Sequence, residues 1–460
     1  MSRILNPPVG RLVVPGLVLA VLTACGLGGC GRVITPTQPG PAGSAASPSS
    51  ASAAGTASVH DHAAMQAAAS SVPAAAAAAA SDEGAAVGVR LQALLAQHTV
   101  LAADMMRARI RQDPDFAQAA EAALTRNSQA LGTLVGSLYG AGAAATFSQW
   151  WTAHVTHLFE YAAARQSGDA AAMQQARDQL TVAENTLGSF FAGASKGRLK
   201  ASAAKAGMRM HVEGLLAQAD AYAKGDYATA DAEYSHAFQH TYALGGTLAS
   251  ALLPKKDAAA LSTPALQLRT NLTEALGEHV ALIIAAMRAA SGNNTGDFKG
   301  LGDALNHNTE ALSGAMGTLF GAAAATQFQS LWANHVDGLM TLTSATGRGD
   351  AAQQAKARQQ LQAFEPALAK FLNSATQSRI GADALAHAIA MHDEMLIEEM
   401  QAFQAKDYAK AHDLGYNAYD EMFDLAAQLS HAIQLTLGAK LPHGGSQTGG
   451  GGMAGVVGRR

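Results

Sequence analysis

From residue 86 to residue 438 apolar side chains recur at spacings of three and four, the period of helices that bury one face. Leu91, Leu94, Leu95, Leu101 and Met105 make the first stripe, and Ala120, Leu124, Leu131 and Leu134 the second. Phe147, Trp150, Trp151 and Leu158 follow, then Leu180, Leu187 and Phe191, then Met208, Leu215 and Tyr222. Ala, Leu, Gln, Met, Glu and Lys fill these segments, and β-branched runs are absent, so strand is disfavoured throughout. Breaks fall at Asp113-Pro114, Tyr139-Gly140, Ser167-Gly168-Asp169, Gly193 to Gly197 and Lys224-Gly225-Asp226. Asp169 and Asp226, each just after a glycine, read as N-caps. The pattern predicts six helices of roughly 20 to 28 residues joined by short loops, which makes successive helices antiparallel neighbours.

The whole pattern then repeats. Leu91, Leu95, His98, Leu101, Met106 and Arg107 return as Leu272, Leu276, His279, Leu282, Met287 and Arg288, each 181 positions later. The same offset carries Asn127 to Asn308, Gly140 to Gly321, Trp151 to Trp332, His154 to His335, Glu184 to Glu365, and His211 to His392. A constant offset over so long a stretch marks tandem copies, and a period this large makes each copy a domain-sized unit. The expected fold is all-α: two up-and-down bundles in series, residues 86–253 and 265–438, joined by a linker at 254–264.

Polar residues interrupt the stripes at matching places. His98, Asn127, His154, Glu184 and His211 each lie near the middle of an apolar face, and His279, Asn308, His335, Glu365 and His392 repeat them. In antiparallel helices mid-helix positions share one level, so these groups are expected to converge on one layer. A buried polar group without a partner costs about 1–3 kcal/mol, so the layer must satisfy itself or hold something. Two readings fit. One is a hydrogen-bonded layer that fixes helix register. The other is a metal site of His98, His154 and His211 with Glu184 or His240 as fourth ligand, and a second of His279, His335 and His392 with Glu365 or Glu421. Imidazole with carboxylate suits copper, zinc, iron or nickel. Met105, Met106, Met208, Met210 and Met391 read as core filler rather than ligands.

The termini differ in kind. Arg3 and Arg11 precede an apolar run from Leu12 to Thr23, too short to span a bilayer. It ends in Leu22-Thr23-Ala24-Cys25, which resembles the bacterial lipobox, so residues 1–24 are expected to be a lipoprotein signal peptide and Cys25 the acylated (palmitate-type) N-terminus; Cys30 is the alternative. Gly26 rather than Asp after Cys25 favours the outer membrane in a Gram-negative cell. Residues 25–85, rich in Ala, Ser, Pro and Gly, are expected to be a disordered tether, and the Gly-rich residues 439–460 a disordered tail.

Composition narrows the function. The 460 residues carry a net charge of −4 with scattered Lys and Arg, which argues against nucleic acid as partner. Both cysteines precede residue 31, so the body has no thiol nucleophile or cysteine-based zinc site. There is no phosphate-binding loop, dinucleotide fingerprint or His-Glu-x-x-His motif, and no catalytic residue is assigned. Glu278-His279 with Met287-Arg288, Trp332-x-x-His335, His392 and their partners in the first copy resemble a family of exported or lipid-anchored bacterial proteins built of tandem helical repeats. Members are labelled copper-amine-oxidase-N-terminal-like. The resemblance implies a copper connection and no more; no amine-oxidase catalytic domain fits the chain.

Overall fold

The computed structural model describes residues 83–442. The expected signal peptide, Cys25, Cys30, nearly all of the expected tether and the Gly-rich residues after 442 lie outside the described residues.

The described chain is all-α, with thirteen helices and no strand among the described residues. The first half comprises α1 (Glu83–Arg111), α2 (Pro114–Tyr139), α3 (Ala141–Ser167), α4 (Ala170–Ala194), α5 (Ala201–Ala223) and α6 (Tyr227–Leu252). A short α7 (Lys255–Ala260) occupies the expected linker. The second half comprises α8 (Pro264–Ser291), α9 (Thr295–Phe320), α10 (Ala322–Arg348), α11 (Ala351–Ala375), α12 (Ala382–Gln404) and α13 (Tyr408–Leu437). α1 begins at Glu83, slightly before the boundary the composition suggests.

Every bound from α2 to α5 recurs 181 residues later in α9 to α12, because the same punctuation recurs. The carboxylates of Asp169 and Asp226 accept from the amides of Ala172 and Thr229, capping α4 and α6. Asp350 and Asp407 do the same for α11 and α13. Between α2 and α3 the turn is a single residue, Gly140, at φ 87°, and Gly321 repeats it at φ 93°. Only glycine tolerates that backbone without strain, so two long helices can reverse on one residue.

Each half is a closed ring of six helices. α1 packs on α2, α2 on α3 and so on round to α6, which returns to α1, and α8 to α13 do likewise. Inside the ring the first, third and fifth helices also touch one another: α1, α3 and α5, and correspondingly α8, α10 and α12. Alternate helices therefore share a central axis.

The two halves also pack on each other. Their helices meet directly, α6 on α9, α2 on α13 and α1 on α8, within one compact unit, and the largest apolar cluster draws on both halves. The pairing is reciprocal, since α6 and α13 are counterparts and so are α2 and α9. The same surface of each half is buried against the other, as in an isologous dimer. Tyr419 donates to the Ala93 carbonyl at 3.0 Å, Tyr242 to that of Thr270 at 2.9 Å, and Arg90 pairs with Asp420 at 2.8 Å. The physical cause is visible in α1 and α8, which are buried almost all round; a helix apolar on every side needs neighbours on every side. Met210, read as core, is instead 42% exposed. No described helix is long and apolar enough to cross a membrane.

Candidate metal centres

The three innermost helices of each half each carry one mid-helix histidine. His98 on α1, His154 on α3 and His211 on α5 are at most 1% exposed. Their ring centroids lie 5.7, 5.4 and 5.4 Å apart. His279 on α8, His335 on α10 and His392 on α12 form the second group, with centroids of His279 and His335 5.5 Å apart and of His335 and His392 6.5 Å. In both trios one nitrogen from each ring lies within 4.8 Å of the others. A metal bound at about 2.0–2.1 Å needs nitrogens roughly 3.3–3.6 Å apart, so modest rotation about χ angles closes the gap. Both trios could hold a metal ion.

The hydrogen bonding leaves most of these ring nitrogens unpaired. Neither nitrogen of His98, His154 or His279 has a hydrogen-bond partner, nor has Nε2 of His211 or of His392. His211 supplies the clearest tautomer. Its Nδ1 lies 3.0 Å from Thr241 Oγ1, whose own hydroxyl donates to the Ala237 carbonyl at 2.7 Å. The hydroxyl therefore accepts from Nδ1–H, and the Nε2 lone pair is left free to ligate.

An apolar wall encloses each trio. Trp151 stands 4.6 Å from His98 and 5.4 Å from His154, backed by Phe147 at 5.2 Å; Trp332 and Phe328 repeat this against His279 and His335. Burial holds His98 and His211 well below the ordinary imidazole value, with neighbouring histidines adding to the effect. It holds His154 down at about 3, His157 contributing. His279 is lowered by burial and then by His335 and His392. These rings are kept neutral, the form that binds metal.

The fourth ligands suggested by sequence fare differently. His240 is half-buried, its Nε2 lies 3.0 Å from the Gly207 carbonyl, and its charge adds to the lowering of His211. Glu184 on α4 faces Arg209 and Glu213 of α5; burial pushes its carboxyl up to about 7. Glu365 is likewise raised, by burial and then by Asp393 and Glu394. Neither belongs to a trio. Glu421 comes closest: its Oε2 is 3.4 Å from His392 Nδ1, beside the ring rather than among the convergent donors. Asn127 and Asn308 are spent on the first helix of their half, donating to the carbonyls of Leu94 and Ala275 at 3.0 and 2.9 Å.

Asp393 was missed by sequence reasoning. Its Oδ1 lies 3.3 Å from His335 Nδ1 and its side chain is 1% exposed. The signal was available: the first copy has Val212 at the matching place, and an acid standing where the copy has a buried valine marks a special position. Thr241 carried no such signal. Comparison of the chain with protein-family models, with curated proteins and with solved structures gives no match.

Proposed function

We propose that the protein binds a transition metal, copper first, at His98, His154 and His211 and again at His279, His335 and His392. It does so in the cell envelope, exported and held to the membrane by lipid on Cys25 (Cys30 in the alternative), and serves buffering, delivery or sensing. The observation that carries this reading is the set of buried imidazole nitrogens without hydrogen-bond partners, facing one another from three helices. Such groups are costly unless something satisfies them, and an ion satisfies all three rings at once. For a nitrogen donor set the affinity order of the first-row divalent ions peaks at copper, which puts copper ahead of zinc and nickel. The lipobox resemblance and the copper-linked family resemblance support the location and the metal.

Elemental analysis of the full chain purified from membranes tests it. Two metal ions per chain are expected, falling to one when His98, His154 and His211 are all replaced by Gln, with helicity by circular dichroism unchanged. No metal in the wild type after loading, or an unchanged content in a variant lacking all six histidines, overturns the reading in favour of a purely architectural polar layer.

A further inference from the structure

The two trios sit in surroundings of opposite electrostatic character. No ion pair reaches His98, His154 or His211 among the described residues; around them are Trp151, Thr241 and apolar side chains. At the 181-residue offset Val212 becomes Asp393, His240 becomes Glu421 and Thr241 becomes Met422. Asp393 and Glu421 bring two carboxylates to the Nδ1 atoms of His335 and His392, at 3.3 and 3.4 Å. Both acids are buried, and none of their four oxygens accepts a hydrogen bond.

Bringing an ion out of water costs in proportion to the square of its charge, so a divalent ion is far more expensive than a monovalent one in a pocket without counter-charge. Carboxylates next to ligating imidazoles need not touch the metal to offset that cost. They orient the rings, make them more basic and supply negative charge. Buried carboxylates whose only facing groups are imidazoles in turn favour positive charge nearby.

Given that both trios bind metal, on which the inference rests, we propose that the two centres are charge-matched to different ions. The His98–His154–His211 centre takes a monovalent ion, Cu(I), and the His279–His335–His392 centre takes a divalent ion, Cu(II) or Zn(II). One chain then holds both charge classes at once.

The test uses the full chain stripped with chelator and titrated separately with Cu(I) under anaerobic reducing conditions and with Zn(II). One equivalent of Cu(I) is expected, abolished by His154→Gln and untouched by the near-isosteric double variant Asp393→Asn, Glu421→Gln. One equivalent of Zn(II) is expected, abolished by His335→Gln and weakened 10- to 100-fold by that double variant. Val212→Asp is expected to create a second Zn(II) equivalent at the first centre, circular dichroism confirming that it folds. Zn(II) affinity unchanged within twofold by the double variant, or both ions bound equally at both centres, overturns the charge matching and leaves the metal reading standing. Binding of neither ion at any centre overturns the metal reading itself.

Discussion

Arg107 and Arg288 hold the same position in the two halves, and each is buried at the seam where the halves meet. Arg107 Nε donates to Gln218 at 2.9 Å, and Nη1 lies 2.9 Å from Asp231 and 3.5 Å from Asp297 of the other half. Arg288 Nε donates to Glu399, the counterpart of Gln218, at 2.8 Å, and Nη1 reaches across to Asp104 at 2.7 Å. Where Arg107 meets Asp297, Arg288 lies over the ring of Phe116, 5.1 Å from its centroid. The geometry of each seam has been kept while the partners have been exchanged. The histidine trios follow the same rule, with neutral surroundings in one half and two carboxylates in the other. The apolar frame fixes where a polar group sits; the groups around it are free to change its charge.

The largest effect expected from this asymmetry is on acid stability. Burial lowers the folded-state values of His98, His154 and His211. The folded form then binds fewer protons than the unfolded chain, and stability is lost as pH falls below about 6.5 toward the folded values, near 3 for His154. Three such rings give a slope of up to roughly 4 kcal/mol per pH unit in the metal-free chain. Urea denaturation between pH 7.5 and 5 should show that slope, and replacing all three rings by Gln should flatten it markedly. Replacing His279 alone should flatten it by about a third as much. A slope unchanged by the triple variant would mean the rings are charged or solvated in the folded state.

Next in size are the seam arginines. Arg107→Leu strands Asp231 and Asp297, and Arg288→Leu strands Asp104 and Glu399, so each should cost about 3–5 kcal/mol, read as a lower urea midpoint. A cost below about 1 kcal/mol for Arg107→Leu alone would show that Asp231, whose carboxyl burial already raises to about 7, takes up a proton once the arginine is gone. The smallest effect separates the asparagines. Asn308 donates to a carboxylate oxygen of Glu278 at 3.2 Å, where Asn127 meets the neutral Gln97 at 3.0 Å. Asn308→Ala should therefore cost about 1.5–3 kcal/mol and Asn127→Ala about 1 kcal/mol by the same denaturation assay. Equal losses would place both bonds in the neutral class.

Much of this was legible in the chain. Period, caps and glycine breaks located the helices, since Asp169, Asp226 and Gly140 act through backbone geometry a few residues away. The histidine trios were legible because a mid-helix position fixes depth, and antiparallel helices share depths. The fourth ligands were not, because Glu184 and His240 sit on α4 and α6, outside the inner three helices, and a stripe of residues says which face is buried but not which helix it meets. The interlocking of the halves was missed for the same reason, although the apolar run around Ile283 and Ile284, facing all sides of α8, already exceeded what one bundle can cover.

The reciprocal seam has a consequence for how such a molecule can change. In a pair of identical subunits every substitution appears twice, so an acid planted beside one ring is planted beside both, and self-complementary surfaces must accept each novelty in duplicate. Fusing the partners into one polypeptide removes that obligation. Asp393 could arise without altering Val212, and no exchange of subunits on dilution can scramble the resulting left and right hands.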